Sequence, residues 1–160
     1  MERSNRKMLG ILPFYHIYGL LVMLDCLCNG STVVSMSKFS PSVFTDNISK
    51  HQISLLSIVP SLLLPLVKCT AEDLSSLNLI FIGGSVTNGS LMSALLEKFL
   101  DDSLEIYNIY GMTEASGIIS WAKMSTKDID ESREKGESIG RMPKIFQSKV
   151  LEIQFSPSPL

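Results

Sequence analysis

The amino-acid sequence predicts an α/β fold with a mainly parallel sheet and flanking helices. Strand-like runs of about four to seven apolar or β-branched residues alternate along the chain with helix-like stretches of about ten residues, a pattern typical of parallel α/β layers. The composition is that of a globular protein, since 45% of the residues are hydrophobic and 19% are charged. A chain of 160 residues is long enough to bury one core, so we expect a single domain.

The region before Pro60 predicts strands and helices in alternation. Met8–Leu12 is a short apolar run that ends at Pro13, as expected for a buried strand. The apolar stretch Tyr18–Cys28 is long enough for a helix, and the Asn29-Gly30 pair after it is a common helix stop. The other elements predicted here are a strand at Ser31–Val34, a helix from the N-cap Ser40 to about Lys50 with Val43, Phe44 and Ile48 as its core stripe, and a strand at Ile53–Val59.

The same alternation continues after Pro60. Pro60-Ser61 starts a helix that should reach about Lys68, and Pro65 inside it is expected to kink or split the helix. Asn78–Ile82 is an apolar run that predicts a buried strand, and it ends at the glycine pair Gly83-Gly84.

The clearest amphipathic helix is predicted over Gly89–Leu100. Its Leu91, Leu95 and Phe99 recur every fourth residue and should face the core, whereas Glu97, Lys98 and Asp101 should point outward. Beyond it, the charged and aperiodic stretch Lys123–Glu137 predicts an exposed loop, Ile145–Phe155 could form a final strand, and residues 151–160 predict a frayed tail.

Charge and cysteine content exclude several classes of function. The net charge is −2 and no basic stripe is present, which argues against nucleic acid as a partner. The apolar run near the N-terminus is interrupted by Pro13 and His16 and is too short and too polar to cross a bilayer, so we expect no transmembrane segment. The three cysteines, Cys26, Cys28 and Cys69, lack metal-site spacing, which favours buried apolar roles, reduced thiols and an intracellular compartment.

The most informative stretch is Asn108–Gly117. The alternating Leu104–Tyr107 before it predicts a short strand, and Gly111 is expected to break that strand and open a loop. Thr113 then offers a hydroxyl for a phosphate oxygen, and Glu114 offers a carboxylate of the kind that Mg²⁺ prefers. Tyr110 adds a flat ring that could lie on a base. On these residues alone, a turn with a solvated glutamate is an equally valid interpretation.

Three motifs in this sequence resemble those of the adenylate-forming, or AMP-binding, enzymes, which include acyl-CoA synthetases, coumarate-CoA ligases and luciferases. Tyr110–Ala115 is similar to the family signature, Leu12–Leu20 to its aromatic-histidine segment, and Phe81–Val86 to its glycine turn before a helix. They occur in the family's order over about residues 8–150, so the chain is identified as one partial AMP-binding domain spanning 1–160, similar to the middle of the family's large N-terminal domain.

The resemblance implies a reaction and a set of partners. Members of the family activate a small-molecule carboxylic acid with ATP to an acyl-adenylate and then transfer the acyl group to a thiol, usually coenzyme A. It implies that Thr113 hydrogen-bonds a phosphate oxygen, that Glu114 holds Mg²⁺ and that Tyr110 stacks on adenine. The implied nucleotide contacts are Gly83, Gly84, Ser85, Tyr110, Gly111, Met112 and Thr113, the implied acyl pocket is formed by His16, Ile109 and Gly117, and the implied catalytic residues are Thr113, Glu114 and His16. Taken alone, a histidine in this setting is more often a structural residue, and the resemblance makes the two interpretations equally valid.

The sequence also departs from the family pattern. Ile109 stands where many coumarate-ligase relatives have glycine, so it is expected to narrow the acyl pocket. The family's lysine-containing phosphate loop and its C-terminal catalytic lysine find no match, so we expect the chain by itself to be inactive. A non-catalytic adenine-nucleotide-binding module, or a degenerate copy of a ligase, is the alternative. An unrelated nucleotide-binding domain is a weaker alternative, since the spacing around Gly83-Gly84 is not a dinucleotide fingerprint.

Overall fold

A computed structural model describes residues 6–70, 72–99, 104–125 and 139–148. In these ranges the chain forms a six-stranded sheet with the strand order β2-β1-β3-β4-β5-β6. The strands are β1 (Lys7–Gly10), β2 (Thr32–Ser35), β3 (Leu55–Ile58), β4 (Leu79–Gly83), β5 (Glu105–Met112) and β6 (Gly117–Met124). Strands β1 to β5 run parallel to one another, and β6 is antiparallel to β5. The predicted α/β fold with a mainly parallel sheet is therefore confirmed.

Local capping signals account for most helix boundaries. The helices are α1 (Ile17–Asn29), α2 (Pro41–His51), α3 (Leu63–Lys68) and α4 (Gly89–Lys98). Ser40 caps α2 by accepting the Val43 N–H, and Asn88 caps α4 through its side-chain oxygen. Gly30 ends α1 in the left-handed conformation with φ 67°. These boundaries agree with the sequence signals.

The two faces of the sheet are covered unequally. Helices α2, α3 and α4 pack on one face and form the main core with Leu56, Ile58, Ile80 and Ile82, all 0% exposed. Helix α1 lies on the opposite face and forms a smaller cluster there, made of Met8, Val22, Cys26 and Leu55. Side chains alternate between faces along each strand, so neighbours such as Leu55 and Leu56 belong to different clusters.

Several local predictions need correction. Val43 is 44% exposed, so the core stripe of α2 consists of Phe44 and Ile48. The predicted helix after Pro60 is split into a 3₁₀ turn at Pro60–Leu62 and α3, but the split precedes Pro65. Pro65 lies in the first turn of α3, where a missing N–H breaks no helical hydrogen bond.

Lys98 does not point freely into solvent as predicted. Its ammonium group donates to the carbonyl oxygens of Leu66 at 3.0 Å and Val67 at 2.7 Å, and also to that of Cys69. These carbonyls lie at the C-terminal end of α3, where the helix leaves acceptors unpaired. Lys98 therefore joins α4 to α3.

The C-terminal part of the described structure differs most from the prediction. Strand β6 was not predicted, and it extends through Lys123 to Met124, where an exposed loop was expected to begin. Residues 145–148 form a turn and irregular structure rather than a strand. Three predicted regions lie wholly or partly outside the described residues: the rest of the predicted loop, the rest of the predicted final strand and the tail at 151–160.

Two further expectations concern cysteines and membranes. Cys26 is buried and Cys69 is partly buried, but Cys28 is exposed, so the prediction that Cys28 is buried is wrong. Within the part of the chain that the structure describes, no helix combines the length and apolarity needed to cross a bilayer.

Candidate functional site

A cleft of about 120 Å³ lies at the carboxyl edge of the sheet. It is built by three distant parts of the chain: the start of α1, the turn after β4 and the β5–β6 hairpin. The carboxyl edge is where open α/β sheets bind ligands. The lining residues are His16, Ile17, Tyr18, Leu21, Gly84, Ile109, Gly111, Met112, Thr113, Gly117 and Ile118.

The hairpin differs from the strand-to-loop transition predicted for the Tyr110–Ala115 motif. Strand β5 does not break at Gly111 but continues to Met112, and Thr113–Ala115 forms a 3₁₀ turn before β6. The β5–β6 pairing has a register shift between Tyr110 and Gly111, as at a β-bulge. Thr113, the first residue of the 3₁₀ turn, forms part of the cleft wall.

Two glycines allow this hairpin to close against α1. A Cβ atom on Gly111 would lie 2.3 Å from the carbonyl oxygen of Gly117 on the opposite strand. Gly117 itself has φ 129°, and a Cβ there would lie 2.4 Å from Cδ1 of Leu21 on α1. A side chain at position 111 would push the two strands apart, and one at position 117 would be strained by the positive φ and would displace the Leu21 side chain.

His16 has a structural role in this architecture. It is the N-cap of α1, and its Nδ1 accepts the backbone N–H of Tyr18 at 3.2 Å. An accepting Nδ1 requires the neutral ring to carry its proton on Nε2. The structural interpretation of His16 is therefore correct, and the ring also lines the cleft. A role for His16 in catalysis remains a prediction.

Tyr18 is a residue of the site that the sequence analysis did not single out. Its hydroxyl donates to the carbonyl oxygen of Phe81 on β4 at 3.0 Å and so fixes the first turn of α1 to the sheet. Burial raises the pKa of Tyr18, which keeps the hydroxyl protonated as a donor. The only sequence signal was its place in the aromatic-histidine segment.

The glycine turn after β4 contributes Gly84 to the cleft lining, whereas Gly83 is buried beside Ile109. A Cβ on Gly83 would lie 2.6 Å from both Cγ1 and the carbonyl oxygen of Ile109, so the backbone of β5 requires glycine at this position. Ile109 is 6% exposed and lines the cleft between the turn and the hairpin. Ser85 follows as an exposed residue of the turn.

The predicted site residues are thus grouped into a lining and a rim. His16, Gly84, Ile109, Gly111, Met112, Thr113 and Gly117 line the cleft. Ser85, Tyr110 and Glu114 are exposed around it, with Glu114 directly after Thr113 in the 3₁₀ turn. Among the described residues no group of three or more His, Cys, Asp or Glu side chains could hold a metal. A single carboxylate still suits Mg²⁺, which is commonly bound by one or two carboxylates together with substrate phosphates.

An open α/β sheet with a cleft at its carboxyl edge, walled in part by Gly84 and Thr113, is the architecture of a ligand-binding domain. The family model for the AMP-binding enzymes matches residues 1–157 of this chain. The chain therefore belongs to the AMP-binding enzyme family, as its three motifs predicted.

Comparison with individual proteins supports the same assignment. The chain is 30% identical to 4-coumarate–CoA ligase 3 of Arabidopsis thaliana over 156 residues, which cover 95% of this chain and 27% of the relative. Among solved structures, the O-succinylbenzoate coenzyme A synthetase of Bacillus subtilis is 28% identical. Its complex with the acyl-adenylate intermediate gives a TM-score of 0.70 over 89% of this chain and 27% of that chain. Its complex with ATP and magnesium gives a TM-score of 0.67 over 82% of this chain and 26% of that chain. The chain thus spans about a quarter of the length of these relatives.

The capping role of His16 can be tested by substitution. His16→Ala should lower the free energy of unfolding by about 1 kcal/mol, because the first turn of α1 loses its side-chain acceptor. His16→Asn should stay close to the wild type, since asparagine is a good N-cap. Urea unfolding measures both. Tyr15→Ala, at a neighbouring side chain that is 92% exposed, is the control and should change little. Equal losses for the alanine and asparagine variants would contradict the capping role.

Proposed function

We propose that this chain forms the adenylate-recognition part of an ATP-dependent, AMP-forming acid–thiol ligase. In the proposed reaction, a carboxylate oxygen of a small-molecule acid attacks the α-phosphorus of ATP, the bond to the β-phosphate oxygen breaks, and pyrophosphate leaves. The sulfur of coenzyme A then attacks the acyl carbon, the thiol proton is lost, and AMP leaves with the electrons of the broken acyl–oxygen bond.

The observation that carries this proposal is the meeting of the three family motifs at one cleft. His16, Gly84 and Thr113 are widely separated in sequence, yet all three line it. Residues of a shared motif that were merely structural would not need to converge on a cavity at the ligand-binding edge of the sheet. The relatives named 4-coumarate–CoA ligase and O-succinylbenzoate coenzyme A synthetase support the same class of reaction.

The chemistry assigns a role to each wall. The Thr113 hydroxyl would donate to a phosphate oxygen, and Tyr110 on the rim would stack on adenine. The exposed carboxylate of Glu114 would hold Mg²⁺, which neutralises phosphate charge during the displacement. His16, Ile109 and Gly117 would surround the acyl group, and the Nε2 proton of His16 is the donor that could reach the carboxylate end of the acid.

A second candidate is a non-catalytic adenine-nucleotide-binding module. The described residues that line the cleft include no lysine or arginine. A cleft without cations can bind an uncharged base and ribose, but it offers little to a triphosphate. Turnover by this chain in the experiment below would exclude this candidate.

The first expectation is that the chain by itself binds AMP more tightly than metal-free ATP and shows no ligase turnover. Glu114 is the acidic residue beside the cleft, and it should repel the extra phosphates unless Mg²⁺ intervenes. The difference between AMP and metal-free ATP should be about tenfold in Kd, or ~1.4 kcal/mol. Calorimetry measures the affinities, and pyrophosphate exchange with mixed acids measures turnover. No AMP binding would refute the proposed function, and turnover by this chain would refute the binding-module alternative.

The assignment of Glu114 to the metal makes a separate prediction. Glu114→Gln keeps the shape of the side chain but removes its charge, so it should abolish most of the gain in ATP affinity that Mg²⁺ produces, about tenfold or more. AMP affinity without metal should be unchanged or slightly improved. Glu97→Gln, at an exposed glutamate of α4, is the matched control. A Glu114→Gln chain with the full magnesium effect would remove Glu114 from the metal site.

Ile109 should limit the size of the acyl group. Ile109→Gly removes the side chain between Gly83 and the cleft, so acyl-sulfamoyl adenosines with bulky acyl groups should gain affinity relative to those with small ones, by roughly tenfold. AMP affinity serves as the internal control, since the substitution removes nothing that adenine would contact. An unchanged ranking of small and bulky analogues in calorimetry would show that Ile109 is outside the acyl pocket.

A further inference from the structure

A buried polar pair lies beneath the cleft, within the apolar layer formed by β4, β5 and α4. The Thr87 hydroxyl donates to Oδ1 of Asn108 at 3.2 Å, across 21 positions of sequence. Thr87 is 2% exposed and Asn108 is 3% exposed. The strand neighbours of Asn108 in register are Ile82 and Ala122, which are both apolar. Burying a hydroxyl and an amide is unfavourable unless they are paired, and apolar side chains would fill this layer at no such cost.

The two residues of the pair belong to the two walls of the cleft. Thr87 lies three positions after Gly84 and directly before Asn88, the N-cap of α4. Asn108 lies directly before Ile109 and three positions before Gly111. Gly84, Ile109 and Gly111 all line the cleft. Along a strand successive side chains point to opposite faces, so holding Asn108 on the helix side fixes Ile109 on the cleft side.

Backbone pairing between β4 and β5 does not extend far enough to fix the distance between the glycine turn and β5. The parallel pairing of β4 with β5 ends at Gly83 opposite Ile109. The turn leaves the sheet at Gly84, so the ladder does not fix the distance from the turn to β5. On the other side, the β5–β6 register shifts between Tyr110 and Gly111. The Thr87–Asn108 hydrogen bond therefore joins the turn to β5 beyond the last β4–β5 backbone pair of the turn's own strand. Asn108 itself lies two residues before the register shift in β5.

We infer that Thr87 and Asn108 are positioning residues that set the width of the cleft between the glycine turn and the motif strand. This inference rests on the proposed function, because the ligand held at that width is the adenylate. Neither residue lines the cleft, so the pair acts by holding the backbones of Gly84 and Ile109 at a fixed separation.

The test compares substitutions at Thr87 in the full chain. Thr87→Val has nearly the same shape but no hydroxyl, so it should weaken AMP binding about tenfold, or ~1.4 kcal/mol. Thr87→Ser keeps the hydroxyl and should restore the affinity to within about threefold of the wild type. AMP binding is measured by calorimetry, and the free energy of unfolding is measured in urea for each variant.

Ser93→Ala is the matched control. Ser93 on α4 is 7% exposed, and its hydroxyl has no hydrogen-bond partner among the described residues. Removing it changes a buried hydroxyl of the same layer without touching the turn, so AMP affinity should stay at the wild-type value. A loss of affinity in Ser93→Ala equal to that in Thr87→Val would show that the effect is general destabilisation and would overturn the inference.

The remaining outcomes separate this inference from the proposed function. A wild-type chain that binds no AMP would overturn both. A wild-type chain that binds AMP together with a Thr87→Val variant that binds it equally well would overturn the positioning role alone. If Thr87→Val does not fold, amide hydrogen exchange of the wild-type chain tests the positioning role instead. AMP should then slow exchange at residues 84–87 and at 108–112 by the same factor, and different factors would overturn the inference.

Discussion

The close approach of two backbones at Gly111 and Gly117 is the constraint on which the site depends. A Cβ on Gly111 would lie 2.3 Å from the carbonyl oxygen of Gly117, so β5 could not carry a side chain there without opening the hairpin. The contact between Gly117 and Leu21 extends this constraint to α1, whose first turn supplies His16 and Tyr18. The position of the family motif thus depends on glycines that permit close backbone approach as well as on the residues that could contact a ligand.

The unequal covering of the sheet gives the domain an apolar side. On the α1 face, a groove of about 430 Å³ lies beside the helix and a second of about 360 Å³ lies over β4, β5 and β6, and the two share Leu79, Phe81 and Ile118. Leu24 and Leu27 are exposed on α1 itself, and a helix that is apolar on all sides is normally buried.

The sequence predicted what depends on local chemistry. The N-cap Ser40, the stop at Gly30 and the apolar runs of β3 and β4 are signals read within a few residues. The motifs were found by resemblance, and their convergence follows from the rule that carboxyl ends of parallel strands share an edge. The pattern did not predict β6, because Ile118 and Ile119 interrupt strict alternation after a motif interpreted as a loop. The bonds of Lys98 to α3 and of Thr87 to Asn108 join residues far apart in sequence, and no local pattern encodes such pairs.

The hairpin also determines where this protein can tolerate inherited variation. Every missense change in a glycine codon adds a Cβ atom, so positions 111 and 117 are closed to substitution for steric reasons. Ser116 between them has φ 59°, a conformation that glycine or asparagine adopts more easily, so a change there to either residue would relieve the backbone. Met112 is 39% exposed and is free of such restrictions. Within the hairpin, differences in ligand preference among variants of this chain would therefore arise at permissive positions such as Met112.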